Sequence, residues 1–509
     1  LKVKQMVHEQ LDIPVVCAHE LTSSLGFHHR TVTAALNAKL IPIISELVNA
    51  TKDVLRKNNI EVPIMMVKGD GSLMQESSAI DKPIETILSG PSASIKGGIF
   101  LTNQEEALIL DMGGTTTDIA HVESGRVKIK EKGASVGGWL TRVKAAEIST
   151  FGIGGDSYLH FNTDGKLKIG PQRVQPLCVA GKNDPKLINE LKTIRKDEKY
   201  ELFSDQEIDC FSINKKPKKG ELNKLDEKIL QLLEDGPHSL FYLARSLEKD
   251  AEALELSRLV SENILTRISM TPTDILHALG KFKLWDEKIS LVAVEILADR
   301  MGKTISELLE MAVSQITNQL TIACLQSITN FEEQSFNLKN NDAAMYLINK
   351  AGNLGTQGLL MTQFIVSKPI VAIGAPVNAW MPQVCKMLNT KLMIPEHAEV
   401  ANAIGAAVGQ IMETVDVLIR PDRKHKKYIL HAPWGRDVFD TLNDAMDYAV
   451  PAIKKYVADL MMHAGSEQFD IVESHEDIFV DIIGPNKKTY VETRIKATGI
   501  GSPMWIQNK

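Results

Sequence analysis

The chain has 509 residues, of which 44% are hydrophobic and 24% are charged, and its formal net charge is -6. A single hydrophobic core rarely grows beyond about 300 residues, so this length predicts about three or four compact domains. The slightly acidic balance gives no electrostatic reason to expect nucleic acid or an anionic membrane surface as a partner. No apolar run approaches the roughly 20 residues of a membrane-spanning helix, so we expect no membrane insertion.

The five cysteines are scattered along the chain without a C-x-x-C pair. This spacing predicts neither a disulfide framework nor a zinc site. It is typical of a protein in the reducing cytoplasm, where we expect this chain to work.

The first hundred residues read as an α/β region. We predict a short strand at residues 15–17, a long helix at 31–58 interrupted near Pro42, and a strand at 63–67. Residues 83–100 then contain a helix rich in glycine, serine and alanine. Such small side chains permit close packing against a neighbouring helix.

Residues 107–122 carry the most informative pattern, which is an apolar strand, a turn of glycine and threonine, and a second strand. Gly113 and Gly114 let the backbone approach an anion and point successive N–H groups at it. Further hydroxyl donors come from Thr115, Thr116 and Thr117. This first glycine turn, residues 113–117, therefore predicts a phosphate-binding site.

Two carboxylates flank the first glycine turn. Asp111, at the end of the first strand, is placed to hold a hydrated Mg²⁺ that neutralises bound phosphates, a role that carboxylates fill together with water. Asp118 offers a second such group. The alternative interpretation is a β-hairpin whose Gly-Gly turn binds no ligand.

A second glycine turn, residues 152–157, contains Gly154 and Gly155. Before it we predict a strand at residues 126–131 and a helix ending near residue 148. After it we predict a hairpin over residues 158–169.

Residues 181–270 read as a charged helical insert. Three short amphipathic helices, at residues 225–233, 239–247 and 254–267, resemble a winged-helix arrangement. The insert contains 16 Lys and Arg residues against 18 Asp and Glu residues. Since a DNA reader needs a basic face, this balance favours a packing or partner-contact role.

The next part of the chain returns to α/β. Two long helices, at residues 289–301 and 305–327, lead to a buried strand that ends in Gly374 and Ala375. A second helix of small residues is predicted at residues 398–409. The tail beyond residue 416 reads as an appended piece, with strands near residues 470–472 and 491–496 and a helix over 438–461 interrupted or kinked near Pro451.

The order of these features resembles the second half of the ATPase domain shared by sugar kinases, actin and the heat-shock chaperones, an actin-like (ribonuclease H-like) fold. In that superfamily the Asp-x-Gly-Gly-Thr turn binds the terminal phosphates, and a strand ending in glycine meets the adenosine. The resemblance implies nucleotide contacts at both glycine turns and at Gly374 and Ala375. It also implies that the two helices of small residues cross at a hinge between lobes.

The sequence motifs resemble even more closely those of one family, the hydantoinase/oxoprolinase family, A-type subunit, and this resemblance covers about residues 20 to 410. Each fragment alone is weakly specific, but their order and spacing make chance similarity improbable. The fragments are Leu88-Ser89-Gly90-Pro91, Asp111-Met112-Gly113-Gly114-Thr115-Thr116-Thr117-Asp118, Gly152-x-Gly154-Gly155, Thr271-Pro272-Thr273-Asp274 and Ala401-Asn402-Ala403-Ile404-Gly405.

The resemblance implies an ATP-dependent enzyme that opens a cyclic amide such as a hydantoin or 5-oxoproline. ATP with Mg²⁺ would phosphorylate the amide oxygen, so that water can attack the carbonyl. Such a step relies on positioning and on charge neutralisation at the phosphates, with Asp111 and Asp118 as the catalytic carboxylates and Asp111 on the metal. The family also implies a B-type partner subunit, whereas assembly of identical copies stays open.

The sequence departs from the family pattern in three ways. After Gly170-Pro171 the family's usual sequence is replaced by residues 172–178 and the helical insert, which would change specificity if substrate or partner contacts lie there. The family usually opens with an earlier phosphate turn, and none precedes Gln10, so we expect either a fragment without the first lobe or a lost phosphate site. Asp156 stands where the family usually has a third glycine, and its carboxylate would place a negative charge near any bound phosphate.

Two further residues have open interpretations. Asp274 is either a metal or substrate ligand or part of a helix N-terminal cap. Cys178 is either a relic of a family cysteine or a packed thiol, and the absence of a nearby base in the sequence favours the packed thiol.

Two other functions remain as alternatives: a nucleotide-gated ATPase switch that acts on a protein partner, and a scaffold without catalysis. The substrate is not determined by the sequence.

We divide the chain into residues 1–100 for the remainder of a first lobe and a hinge helix, 101–180 for a second lobe with the phosphate-binding turn, 181–270 for the winged-helix-like insert, 271–415 for a helical region and an adenosine-side α/β lobe, and 416–509 for an α+β appendage.

Overall fold

The computed structural model of the chain describes residues 2–11, 13–22, 26–130, 133–162, 165–194, 205–215, 217, 222–334, 336–352, 359–481 and 488–503. Its α-helices are α1 Lys2–Leu11, α2 Ala18–Leu21, α3 Phe27–Lys57, α4 Glu76–Asp81, α5 Ser89–Thr102, α6 Leu177–Asn183, α7 Lys186–Thr193, α8 Lys224–Leu232, α9 Leu240–Ser246, α10 Leu256–Ser261, α11 Pro272–Ala278, α12 Glu287–Arg300, α13 Ile305–Phe331, α14 Asp342–Gly352, α15 Val377–Met387, α16 Ala401–Ala407 and α17 Leu442–His463.

The strands of the described residues are β1 Met65–Val67, β2 Leu73–Gln75, β3 Ala107–Met112, β4 Thr117–Glu123, β5 Arg126–Val127, β6 Ser135–Val136, β7 Trp139–Leu140, β8 Ile148–Phe151, β9 Ser157–Phe161, β10 Leu167–Arg173, β11 Gln175–Pro176, β12 Cys210–Ile213, β13 His238–Ser239, β14 Leu265–Ser269, β15 Ile370–Ile373, β16 Leu392–Met393, β17 Ile411–Asp422, β18 Lys427–Ala432, β19 Gly435–Phe439, β20 Phe469–Asp481 and β21 Lys488–Gly501.

The chain divides into two compact units, and both are discontinuous in sequence. Unit 1 contains Leu1–Glu105, Glu123–Ile148 and Val400–Lys509, and unit 2 contains Glu106–Val122 and Ser149–Glu399. The five segments predicted from the sequence are each continuous, so they do not correspond to these two discontinuous units. All predicted nucleotide-site residues fall in unit 2.

The central sheet of unit 2 confirms the predicted strands around the first glycine turn. Its strand order is β16, β15, β3 and β4, with β8 also beside β4. Strands β16, β15 and β3 run parallel, and β4 returns antiparallel to β3. All four residues of β15 and most of β3 are buried, which explains their continuous apolar runs.

The insert of unit 2 has the three predicted helices, α8, α9 and α10, but the third ends earlier than predicted. Helix α10 stops at Ser261, and Asn263 has a positive φ of 61° that turns the chain. The prediction of a helix over residues 254–267 is therefore wrong at its C-terminal end. Residues 265–269 form β14, antiparallel to β12, because their apolar side chains fill the sheet rather than a helix face. Residues 195–204 of the predicted insert lie outside the described residues.

Helix α10 does not present a free basic face. Its Arg258 guanidinium donates to Asp226 at 2.6 Å and also pairs with Glu262 and Glu255. These three carboxylates neutralise the cation that a DNA-reading helix would offer. This arrangement agrees with the predicted packing or partner-contact role.

In unit 1, helices α5 and α16 are the two predicted helices of small residues, and they pack backbone against backbone. A Cβ atom added at Gly97 would lie 1.9 Å from the carbonyl oxygen of Ala401, and one added at Gly405 would lie 1.8 Å from that of Ala93. The Asn402 amide also donates to the Gly90 carbonyl at 2.8 Å. Only glycine permits this approach.

The large sheet of unit 1 joins both ends of the sequence. Its order is β1, β2, β17, β18 and β19, with β21 beside β17 and β20 beside β21. Helix α17 packs on this sheet through residues such as Ala449 and Ile453. The predicted appendage, residues 416–509, therefore shares one sheet with residues 65–75. Strands β17 to β19 were not predicted.

Three helices differ from the sequence predictions. Helices α3 and α17 continue through Pro42 and Pro451, so the predicted interruptions are wrong, whereas the alternative of a kink near Pro451 stays a prediction. Neighbouring hydrogen bonds and packing outweigh the single bond that each proline removes. The predicted helix ending near residue 148 is absent from the described residues, because Gly137 and Gly138 both have positive φ and close a hairpin between β6 and β7.

Helix α3 also differs from the expectation about membrane-spanning segments. With 31 residues it is long and apolar enough, by length and composition alone, to cross a membrane, and 17% of its most apolar window is buried. Its apolar residues are interspersed with Lys39, Glu46 and several small polar residues, so no continuous apolar run is visible in the sequence.

We predict that Gly97→Ala destabilises unit 1 by about 1–3 kcal/mol, because the new methyl group forces α5 away from α16. Gly90→Ala is the matched control on the same helix. No atom lies within 4 Å of its added Cβ, and alanine is the better helix former, so stability stays equal or rises by up to about 1 kcal/mol. Urea unfolding followed by circular dichroism measures both, and equal midpoints would contradict the close crossing.

Candidate functional site

The first glycine turn lies at the carboxyl end of β3, and its backbone faces outward. The Gly113 N–H closes the turn on the Thr116 carbonyl at 2.9 Å. Gly113, Gly114 and Thr115 are exposed. Within the described residues, no hydrogen bond uses the main-chain N–H groups of Gly114 and Thr115 or the Thr115 hydroxyl. These donors are therefore available to an anion.

The other two predicted threonines bond inside the protein. The Thr117 hydroxyl is buried and donates to the Ile153 carbonyl at 2.7 Å. The Thr116 hydroxyl donates to Asp118 at 3.4 Å. Their side chains hold the turn in place, so Thr115 is the threonine whose hydroxyl faces outward.

The two flanking carboxylates, Asp111 and Asp118, are directly opposed in the register of β3 and β4, which places their side chains on one face of the sheet. Asp111 is half-buried. Asp118 is buried, and its second oxygen accepts a 2.6 Å hydrogen bond from Thr150. Burial raises the pKa of the Asp118 carboxyl, while the hydrogen bonds from Thr150 and Thr116 oppose this rise. Both oxygens of Asp118 are thus used inside the protein.

A metal at this site would need ligands from outside the chain. Among the described residues, no group of three or more His, Cys, Asp or Glu side chains is placed to hold a metal ion. Mg²⁺ commonly binds through one or two carboxylates, phosphate oxygens and waters, which one carboxylate such as Asp111 fits.

The second glycine turn packs directly under the first. The N–H groups of Gly155 and Asp156 donate to the carbonyls of Gly113 and Gly114, at 3.0 and 2.6 Å. A Cβ added at Gly154 would lie 2.5 Å from the Gly114 carbonyl oxygen. The predicted glycines are therefore brought together, but Gly155 uses its N–H to brace the first turn.

Gly374 and Ala375 follow β15 on the other side of the first turn. Gly374 has φ +102°, and a Cβ there would lie 2.3 Å from the Met112 carbonyl oxygen and 3.2 Å from the Asp111 carboxylate. Its N–H donates to the Ala398 carbonyl at 2.9 Å. Ala375 is exposed before helix α15. Gly374 therefore lies beside Asp111, while the predicted adenosine contact of Gly374 and Ala375 stays a prediction.

Asp274 is a structural residue. It forms a capping box with Thr271 at the start of α11 and accepts hydrogen bonds from the N–H of Cys178 at 2.7 Å and from Ser290 at 2.9 Å. The side chain is fully buried. Of the two interpretations, the helix cap is confirmed. Cys178 is likewise a packed thiol, and burial raises its pKa well above the usual range.

Arg173 and Thr150 are site residues that the sequence analysis missed. Arg173 ends β10, opposite Ser157 in the register of the β9–β10 hairpin, and it pairs with Asp156. The predicted hairpin ended at residue 169, and the register shifts between Ile169 and Arg173, so no local signal in the sequence indicated Arg173. Thr150 lies on β8, beside β4, and no local pattern indicated that pairing.

The Gly-x-Ser-x-Gly pattern of residues 133–137 does not form a nucleophile elbow. Ser135 begins β6, which pairs with β7 in a short hairpin. A nucleophile elbow needs a sharp turn from a strand into a helix. We therefore assign no catalytic role to Ser135.

These features define a mixed α/β protein with an exposed glycine turn beside a half-buried carboxylate. Residues 30–185 match the model of the hydantoinase/oxoprolinase family. The acetophenone carboxylase gamma subunit of Aromatoleum aromaticum is 26% identical over 182 residues, 34% of this chain and 24% of that protein. The 5-oxoprolinase 1 of Arabidopsis thaliana is 29% identical over 157 residues, 29% of this chain and 12% of that protein.

The fold is similar to that of a solved relative. The crystal structure of the ATP-dependent caprolactamase from Pseudomonas jessenii matches with a TM-score of 0.56 and 13% identity, and the match covers 99% of this chain and 63% of that chain. At this identity the likeness shows the fold alone. The sequence matches cover less than a quarter of the length of the two curated relatives.

We predict that Gly154→Ala destabilises unit 2 by about 1–3 kcal/mol, because its Cβ would meet a main-chain oxygen that cannot move alone. Gly113→Ala is the matched control, since the nearest atom to its Cβ is 3.6 Å away. We expect the control to change the free energy of unfolding by less than about 0.5 kcal/mol. Urea unfolding compares the two, and an equal loss would exclude the backbone contact as the cause.

We predict that burial of Asp118 makes stability depend on pH. The folded state holds the Asp118 proton more tightly than the unfolded chain, so stability falls as pH rises from the ordinary pKa of 3.8 through the raised folded value. Asp118→Asn lacks this proton. The free energy of unfolding of the wild type should therefore decline relative to that of the variant as the pH rises above the ordinary pKa of 3.8. A difference that stays constant as the pH rises would contradict the raised pKa.

Proposed function

We propose that the chain binds Mg-ATP at the first glycine turn and is the ATP-binding part of an enzyme that activates an amide carbonyl, of the hydantoin or 5-oxoproline type, for ring opening. The observation that carries this proposal is the outward-facing turn, whose unused N–H donors lie beside the half-buried Asp111 carboxylate. The match of residues 30–185 to the hydantoinase/oxoprolinase family supports the same chemistry.

Each residue has a defined part in the proposed site. Gly114 and Thr115 donate their N–H groups to phosphate oxygens, and the Thr115 hydroxyl adds a donor. Asp111 holds the metal, directly or through water. Asp118 positions Thr116 and Thr150 and acts through them, and Gly374 keeps the space beside Asp111 open.

The chain needs no nucleophile of its own in this reaction. ATP, when bound, supplies the phosphoryl group that activates the substrate oxygen. The protein contributes positioning and charge neutralisation, the terms that dominate phosphoryl transfer. We also propose a B-type partner subunit, the actin-like character of the ATPase lobes and a cytoplasmic location, by the family resemblance and the free thiols.

A second substrate class is favoured by one relative. The acetophenone carboxylase gamma subunit is named for carboxylation of a ketone, whose oxygen presents the same acceptor to a phosphoryl group as an amide oxygen does. Ketones with bicarbonate therefore belong in the substrate test beside cyclic amides.

We predict that the chain binds Mg-ATP and that Asp111→Asn weakens the affinity by about tenfold or more, which is about 1.4 kcal/mol, because the metal loses its carboxylate. Glu332→Gln, an exposed residue of the same unit, is the control with the same change of charge and should bind as the wild type does. Calorimetric titration measures all three. Absence of binding by the wild type would end the nucleotide proposal.

The substrate class can be determined from the coupling between substrate binding and Mg-ATP binding. A true substrate raises the affinity for Mg-ATP by the same factor by which Mg-ATP raises the affinity for the substrate. We expect hydantoin, 5-oxoproline or caprolactam to show this coupling. Coupling with acetophenone alone would assign the ketone class, and coupling with none would contradict the enzyme proposal.

A further inference from the structure

The Asp156–Arg173 pair stands at the edge of the first glycine turn. The Arg173 guanidinium donates from Nη2 and Nε to one oxygen of Asp156, at 2.9 and 3.2 Å. The same carboxylate lies 2.7 Å from the position of a Cβ added to Gly114. Asp156 therefore holds the positively charged guanidinium of Arg173 close to the N–H groups of Gly114 and Thr115, which make no hydrogen bond within the described residues.

Both members of the pair are fixed by the main chain. The Asp156 N–H donates to the Gly114 carbonyl, and the Asp156 carbonyl accepts from the Val174 N–H at 3.0 Å. Arg173 is opposite Ser157 in the hairpin register. The two backbones hold their positions without the ion pair, so the side chains are free to change partners.

The ion pair itself is weak enough to be exchanged. The Arg173 side chain is 63% exposed and that of Asp156 is 20% exposed. An ion pair with this exposure is screened by water and contributes little to stability. Arginine binds phosphate through two parallel hydrogen bonds, which are charge-assisted and stronger.

This geometry also accounts for an acidic residue beside an anion site. An unpaired Asp156 would repel a phosphate at the turn. While Arg173 is bound to it, the pair is neutral, and when Arg173 moves to the phosphate the arginine offsets the repulsion. Asp156, which departs from the family pattern, and Arg173, which neutralises its charge, thus act together.

We propose that Arg173 binds the terminal phosphate of a nucleotide held at the first glycine turn, and that Asp156 holds Arg173 beside the turn until the nucleotide arrives. This inference rests on the proposed function, because it needs the turn to bind ATP. It makes Arg173 a specificity-determining residue that distinguishes ATP from ADP. No covalent step is involved.

The test is calorimetric titration of Mg-ATP and Mg-ADP into the wild type, Arg173→Gln, Arg173→Lys and Asp156→Asn. Arg173→Gln should weaken Mg-ATP binding by about tenfold or more and Mg-ADP binding by less than about threefold. Arg173→Lys should restore part of the loss. Asp156→Asn should tighten Mg-ATP binding severalfold, since it removes both the competing partner and the repulsion.

The opposite signs of the two substitutions separate this proposal from a structural role. If the pair only holds the hairpin, Arg173→Gln and Asp156→Asn weaken binding alike, and the proposal is overturned. Lys168→Gln, an exposed cation on the same strand, is the control and should bind as the wild type does. A urea unfolding midpoint equal to that of the wild type confirms that Arg173→Gln is folded.

Failure of this inference and failure of the proposed function give different results. If the wild type binds Mg-ATP and Arg173→Gln binds it equally well, only the role of Arg173 is refuted. If the wild type binds neither nucleotide, both proposals fall. Preference for Mg-ATP over Mg-ADP that Arg173→Gln abolishes supports both.

Discussion

The site depends on main-chain atoms packed where no side chain fits. The first glycine turn has Gly154 against the Gly114 carbonyl on one side and Gly374 against the Met112 carbonyl on the other. Neither contact leaves room for a Cβ. The carbonyls of Gly113 and Gly114 accept hydrogen bonds from the second glycine turn, while the N–H groups of Gly114 and Thr115 make no hydrogen bond within the described residues. The turn is therefore held in place by main-chain contacts with both neighbouring segments.

The charge around the turn is lower than the number of acidic residues implies. Three aspartates, Asp111, Asp118 and Asp156, lie within or beside it. Burial raises the pKa of the Asp118 carboxyl, and Arg173 neutralises Asp156. Asp111 is the half-buried carboxylate beside the turn, and it is the one that we propose for the metal. An acidic neighbourhood is in this way compatible with the proposed binding of a nucleotide.

Much of the site was predictable because its signals are local. A glycine and threonine turn after an apolar strand, with Asp111 before it, is visible within a dozen residues. Arg173 was missed because its partner is set by the register of a hairpin, and Thr150 because it reaches Asp118 through a neighbouring strand. The fold shows the same division. Strands β3, β4 and β15 were predicted from apolar runs, whereas β14 was predicted as part of a helix. A short apolar segment fits the periodicity of a helix as well as that of a strand, and here only the pairing with β12 determines which one forms.

The interleaving of the two units has a consequence for biosynthesis. The chain passes between the units four times, and unit 1 receives β17, α16 and α17 only after residue 400. Strand β2 and helix α5 are made more than 300 residues before the partners that cover them. Domains generally fold as units during synthesis, and exposed strand edges and apolar faces favour aggregation. Unit 2 can therefore complete its core while the ribosome is still translating, whereas the first hundred residues wait in a partly folded state, which makes them the segment most dependent on chaperones.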